Sequence, residues 1–208
     1  MTTFPAGKGN GGMETRRIVI VVGILLAPAL VVAQGVPGTR KSPAGWPAVA
    51  EVANQNALRY SREVIARIRQ MNEIELRAGQ MAQVRADTPE ARRYGRLLVA
   101  DHATADRRLV DYGARKLGMQ RGPREEVTPV DRHLMAEHVA ATERMATLSG
   151  AEFDDAFLSM MVSDHQSAVS LLEAARETVD DPDLKMIFTK ILPILRQDLW
   201  IAQALLGG

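Results

Sequence analysis

Leu98-Val99-Ala100-Asp101-His102-Ala103-Thr104-Ala105 and, further along the chain, Met161-Val162-Ser163-Asp164-His165-Gln166-Ser167-Ala168 follow one pattern. Each has an apolar pair, an Asp-His pair, and an alanine three residues after the histidine. Around each copy, apolar residues recur every three or four positions, the period of a helix with one buried face. Tyr94, Leu98, Ala105, Leu109 and Tyr112 align in the first; Phe157, Met161, Ala168, Leu172 and Ala175 align in the second. Two helices built alike predict two related halves, a degenerate duplication.

The flanking sequence supplies each with a partner. Thr88-Pro89, Thr128-Pro129 and Asp181-Pro182 place a capping side chain before a proline, which suits the first helical position. Gly118 and Gly150 mark helix ends. The predicted helices are helix 1 (61–86), helix 2 (89–117), helix 3 (129–148), helix 4 (154–179) and helix 5 (182–206). Pro193 lies inside the last, where the apolar period continues past it. Short turns between helices 1 and 2, and between 4 and 5, force two antiparallel hairpins, which helix 3 connects. The fold class expected is all-α, a ferritin-like four-helix bundle of two antiparallel hairpins with a crossover helix. It covers residues 61–208, with residues 34–60 as a flexible linker that carries a short helix near Ala48–Leu58.

Upstream, Glu14-Thr15-Arg16-Arg17 precedes an apolar run from Ile18 to Ala33, which Gly23 and Pro28 interrupt and Val31-Val32-Ala33 closes. A basic start, a short apolar centre and a small-residue exit are the parts of a secretory signal. Residues 1–33 are therefore expected to be a signal peptide cleaved near Ala33, with Met13 as an alternative start. The location that follows is periplasmic or secreted; the alternative is an N-terminal anchor in the inner membrane.

Composition narrows the function. The chain has 26 Lys and Arg against 25 Asp and Glu; setting aside Lys8, Arg16, Arg17 and Glu14 leaves 23 bases and 24 acids. Such a chain has no electrostatic footprint for nucleic acid, and aromatics at 4% make a poor stacking surface for bases. No cysteine is present, which excludes disulfides, thiolate metal sites and cysteine nucleophiles. No phosphate loop or nucleophile elbow occurs, so no catalytic residue and no small-molecule substrate are assigned.

The informative residues are polar ones on apolar stripes. Glu75 falls in phase with Val64, Ile68 and Ala82 on helix 1, and Asp198 with Ile187, Ile191 and Leu205 on helix 5. The two Asp-His pairs straddle the stripes of helices 2 and 4. Glu75 and His102 lie 13 and 14 residues from Thr88, while His165 and Asp198 lie 16 and 17 from Asp181. Within each hairpin the partners should sit within ~1.5 Å of one level. A buried carboxylate is costly unless it meets a cation, a proton or donors. Two readings follow. In one, Glu75, His102, His165 and Asp198 bind a single divalent ion (Zn, Mn, Fe or Cu), with Asp101 and Asp164 as additional ligands or as groups that orient the ligands. In the other they form a metal-free hydrogen-bonded network. The Glu-x-x-His repeat of di-iron bundles is absent, which disfavours a ferroxidase-type centre. His133 and His138 are expected at the surface, and Met71, Met81, Met160 and Met161 as core filler rather than copper ligands.

Several motifs in combination carry a family resemblance: Glu75-Leu-Arg-Ala-Gly79-Gln-Met-Ala82, Leu98-Val-Ala-Asp101-His102, Gly150-Ala-Glu-Phe153-Asp154-Asp-Ala-Phe157-Leu, Met161-Val-Ser-Asp164-His165 and Leu192-Pro193-Ile-Leu195. The chain resembles a ferritin-like bacterial family of unknown function whose older label is "predicted outer membrane protein". The resemblance implies a helical bundle of the periplasm or envelope; no alternating strands exist for a β-barrel. It also implies a histidine where this chain has Asp198, a change toward oxygen ligands. The function expected is an exported metal-binding or metal-buffering bundle, not an enzyme. The alternative is a metal-free envelope-stress or scaffolding protein acting through its helix surfaces, with an envelope protein or a second copy as partner.

Overall fold

The computed structural model describes residues 49–121 and 129–207. The expected leader, most of the linker and the Thr128 cap lie outside them. Five helices follow in order: α1 (Val49–Arg85), α2 (Pro89–Lys116), α3 (Pro129–Met145), α4 (Gly150–Thr178) and α5 (Pro182–Gly207).

Two helix starts differ from the sequence reading, and α3 ends at Met145 rather than at residue 148. The short segment near Ala48–Leu58 and helix 1 are one continuous helix. No proline or glycine separates them, Ser61 Oγ donates to the Ala57 carbonyl (3.0 Å), and Arg59 pairs with Glu63 one turn on (3.8 Å). Helix α4 begins at Gly150 rather than Asp154, so this glycine opens a helix instead of closing one. Its φ of +60° lies in the left-handed region that favours glycine. Gly118 does follow a helix end, with φ +64° just past the carboxyl terminus of α2. Arg62 Nε donates to the Leu117 carbonyl there (3.0 Å), which ties α2 back to α1.

The caps act as the sequence predicts. The Thr88 hydroxyl accepts from the Ala91 N–H (3.2 Å), and Asp181 Oδ1 accepts from the N–H groups of Asp183 (2.9 Å) and Leu184 (3.0 Å). Asp154 has a further role. Its carboxylate accepts from the Asp87 N–H (2.9 Å), the Thr88 N–H (2.9 Å) and the Thr88 hydroxyl (2.8 Å). One side chain on α4 thereby pins the turn between α1 and α2.

The hairpins α1–α2 and α4–α5 pack together, α1 on α4 and α2 on α5. Ala86, at the end of α1, meets Gly150 at the start of α4, and the Tyr94 hydroxyl donates to the Asp198 carbonyl (3.0 Å) across α2 and α5. Neighbouring helices are therefore antiparallel all round. Helix α3 takes the chain from one end to the other and packs on α1 and α4. Within the first hairpin the backbones approach closely at glycines: a Cβ on Gly95 would lie 2.7 Å from the Gly79 carbonyl oxygen.

The interior divides in two. Near the α4–α5 turn, one apolar cluster holds Ile65, Ile68, Leu109, Leu172, Phe188 and Ile191. Toward the α1–α2 turn, the other holds Ala82, Tyr94, Leu98, Phe153, Phe157 and Met161. Met161 is fully buried, and Met71, Met81 and Met160 pack at the cluster edges. Between the clusters runs a polar layer.

Candidate metal centre

Each helix of the four-helix ring places one polar residue in this layer by the same device, a charged or imidazole group substituted into an apolar stripe. Glu75 on α1, His102 on α2, His165 on α4 and Asp198 on α5 are each at most 2% exposed. An alanine follows one turn on in every case: Ala78, Ala105, Ala168 and Ala202, all buried. Small neighbours leave the polar groups room to meet.

Glu75, His102 and His165 do meet. One donor atom of each lies within 4.8 Å of the others, and together they could hold a metal ion. His102 Nδ1 sits 2.8 Å from Glu75 Oε2 and 3.0 Å from Asn72 Oδ1. His165 Nδ1 lies 2.9 Å from the Met161 carbonyl and 3.8 Å from Glu75 Oε1. The two imidazoles stand edge to face, 5.4 Å between centroids. Asp198 adjoins the group through His165, whose Nε2 is 3.8 Å from Asp198 Oδ2, an ion-pair separation beyond hydrogen-bond reach.

These partners decide the histidine tautomers. Carbonyl and carboxylate oxygens only accept, so both Nδ1 atoms carry hydrogen. In the neutral rings, both Nε2 atoms then present a lone pair. His102 Nε2, His165 Nε2, Glu75 Oε1 and both Asp198 oxygens are buried without a hydrogen-bond partner. Unsatisfied buried polar atoms are rare and destabilising, and here five of them converge on one layer. Anchored Nδ1–H with a free Nε2 is the arrangement that metal-ligating histidines adopt.

The electrostatics agree with close coupling. Burial would raise the Glu75 carboxyl, but the imidazoles of His102 and His165 outweigh it and hold the group below its usual value. Burial opposes charge on His165, yet Glu75 and Asp198 push it up to about 9. Burial and the Asp198 charge raise the partly exposed Asp101.

The two Asp-His pairs are not equivalent. Asp101 is half-buried on α2, whereas Asp164 is buried on α4. Burial holds the Asp164 carboxyl above the usual range, despite a hydrogen bond at 3.0 Å between its Oδ1 and His138 Nε2. His138 is thus not the surface residue expected; α3 turns it inward against α4. His133 does lie at the surface, 3.4 Å from Glu137. Asn72, three positions before Glu75, carries a polar group that the stripe analysis passed over; its place one turn before Glu75 was the available signal.

Residues 47–205 match the family described as a domain of unknown function, DUF4142, and the chain belongs to it. No curated protein matches the chain. Among solved structures it is similar to the crystal structure of a DUF305 fragment from Deinococcus radiodurans. The TM-score is 0.62 at 17% identity, and the match covers 71% of this chain and 95% of the other. At that identity the likeness shows the fold alone.

Proposed function

We propose that this DUF4142 protein is an exported metal-binding or metal-buffering bundle whose Glu75, His102 and His165 hold one divalent transition-metal ion, with Asp198 beside His165 as a further ligand. The carrying observation is the pair of buried Nε2 atoms, each opposite an anchored Nδ1–H and each without a hydrogen-bond partner. Charge supports the same reading. Two carboxylates carry −2, which one divalent cation cancels while both imidazoles stay neutral and able to ligate. Imidazole with carboxylate suits Zn, Mn, Fe or Cu. The two hairpins and crossover helix are read as the ferritin-like form of the bundle, which builds metal sites from facing helices in this way. The basic-apolar-small pattern of residues 1–33 supports export to the periplasm or envelope.

Elemental analysis of protein purified from the periplasm, joined to thermal melts, tests the proposal. The expected result is about one ion per chain and a Tm that falls in chelator and recovers with one of the four metals. A bound ion contributes about 2.7 kcal/mol at a hundredfold excess over Kd, and Glu75→Ala should abolish that shift. Empty protein whose Tm ignores chelator and all four metals would overturn the reading. It would leave the metal-free scaffold, in which Glu75→Ala still destabilises because His102 loses its partner.

A further inference from the structure

The centre is closed to solvent, so any ion that reaches it must pass through protein. Exposure rises stepwise along one set of side chains: His165 at 0%, Asp164 at 6% and His138 at 13%. Asp164 and His165 are sequence neighbours on α4, and His138 reaches Asp164 Oδ1 from α3 at 3.0 Å. The other Asp164 oxygen, Oδ2, is buried without a hydrogen-bond partner. A carboxylate and an imidazole, the same donor types as the centre itself, therefore follow His165 in order of rising exposure. Helix α3, which brings His138, packs on α1 and α4, the helices that carry Glu75 and His165.

Resting on the metal reading above, we infer that Asp164 and His138 form a second, transient site for the divalent cation, through which the ion passes between solvent and the Glu75–His102–His165 centre. Asp164 Oδ2 offers the open acceptor, and His138 exchanges its hydrogen bond for a metal bond while the ion is held. A site of this kind speeds arrival and departure alike. Binding equilibrium is unchanged, because the transient ligands do not belong to the final set.

Stopped-flow mixing of the metal-free full chain with zinc, read by competition with a chromophoric chelator, gives the association rate; excess chelator added to the zinc form gives the release rate. For His138→Gln and Asp164→Asn, both rates should fall by about tenfold with Kd unchanged, since Kd is their ratio. Unchanged rates in both variants would overturn the inference. So would a Kd weakened about 10- to 100-fold at a normal association rate, the mark of groups that only orient His165. Faster exchange in both directions would identify a plug rather than a relay, and would also overturn it. If Asp164→Asn loses helicity by circular dichroism, His138→Gln, from a more exposed position, carries the test. A wild-type chain that takes up no zinc defeats the metal reading itself, an outcome distinct from a binding wild type whose variants exchange normally.

Discussion

His165 concentrates the chemistry of the layer in one ring. Its proton and the metal compete for Nε2, since Nδ1 is committed to the Met161 carbonyl. With the metal removed, the imidazolium stabilises the fold through Glu75 and Asp198. The folded value of about 9 stands above the ordinary 6.5, so this contribution is complete below about pH 6.5 and is lost as pH rises through about 9. Glu75 has the opposite sign. Its folded value lies below 4.5, so its contribution is present above that value and is lost as pH falls through the lower one. Urea denaturation in chelator should therefore show the highest stability near pH 5–6 and a decline toward pH 9, and His165→Gln should flatten that decline. A wild-type profile rising from pH 6 to 9 would show that His165 is neutral in the metal-free fold. The sequence placed this ring on an apolar stripe but could not orient it, because helical phase fixes the direction of Cβ and not the choice between Nδ1 and Nε2. For the same reason His138 was misread. A histidine at this position of α3 suits either water or a neighbouring helix, and Asp164 on α4 decides between them.

At the scale of the element, most of the fold was legible, because the signals are local. Thr88 and Asp181 cap as their Thr-Pro and Asp-Pro pairs indicate, and Leu98, Leu109, Phe157 and Leu172 are buried as their period requires. The boundaries that moved depend on tertiary partners. Asp154 reads as a helix start, yet it sits one turn inside α4, where its carboxylate is engaged by the Asp87–Thr88 turn of the other hairpin. The close approach of α1 and α2 at Gly79 and Gly95 was likewise hidden, since a glycine inside a helix does not reveal what it faces. Gly95→Ala would set a methyl 2.7 Å from the Gly79 carbonyl oxygen and 2.9 Å from the Ala82 Cβ, and the backbone on one side cannot yield as a flexible side chain would. The substitution should cost ~1–3 kcal/mol, although alanine is the better helix former. Leu109→Ala, fully buried on the same helix, should cost ~2–5 kcal/mol by leaving a cavity. Chemical denaturation of both variants measures this; a stabilised Gly95→Ala would mean the hairpin opens freely at the glycines.

Across the whole molecule, the polar layer interrupts what would otherwise be one continuous core. Replacing Glu75 and Asp198 together by leucine should join the two apolar clusters, abolish metal binding and raise the Tm of the metal-free protein. Exchanging buried charges for packed hydrocarbon in this way often stabilises by ~1–4 kcal/mol. A melt in chelator checks it, and a lowered Tm would show that the layer contributes net stability even without an ion. The layer also bears on how two halves built from similar repeats find their alignment with no cysteine to join them. A slip of one heptad, about 10.5 Å, would keep apolar stripe against apolar stripe. It would, however, set Glu75 and His102 level with Leu158 and Leu205 in one direction, or with Leu172 and Ile191 in the other. A carboxylate stranded against hydrocarbon costs several kcal/mol, far more than the difference between one leucine contact and the next. The layer is thus a single notch in an otherwise smooth interface, and the hairpins seat where the notches coincide.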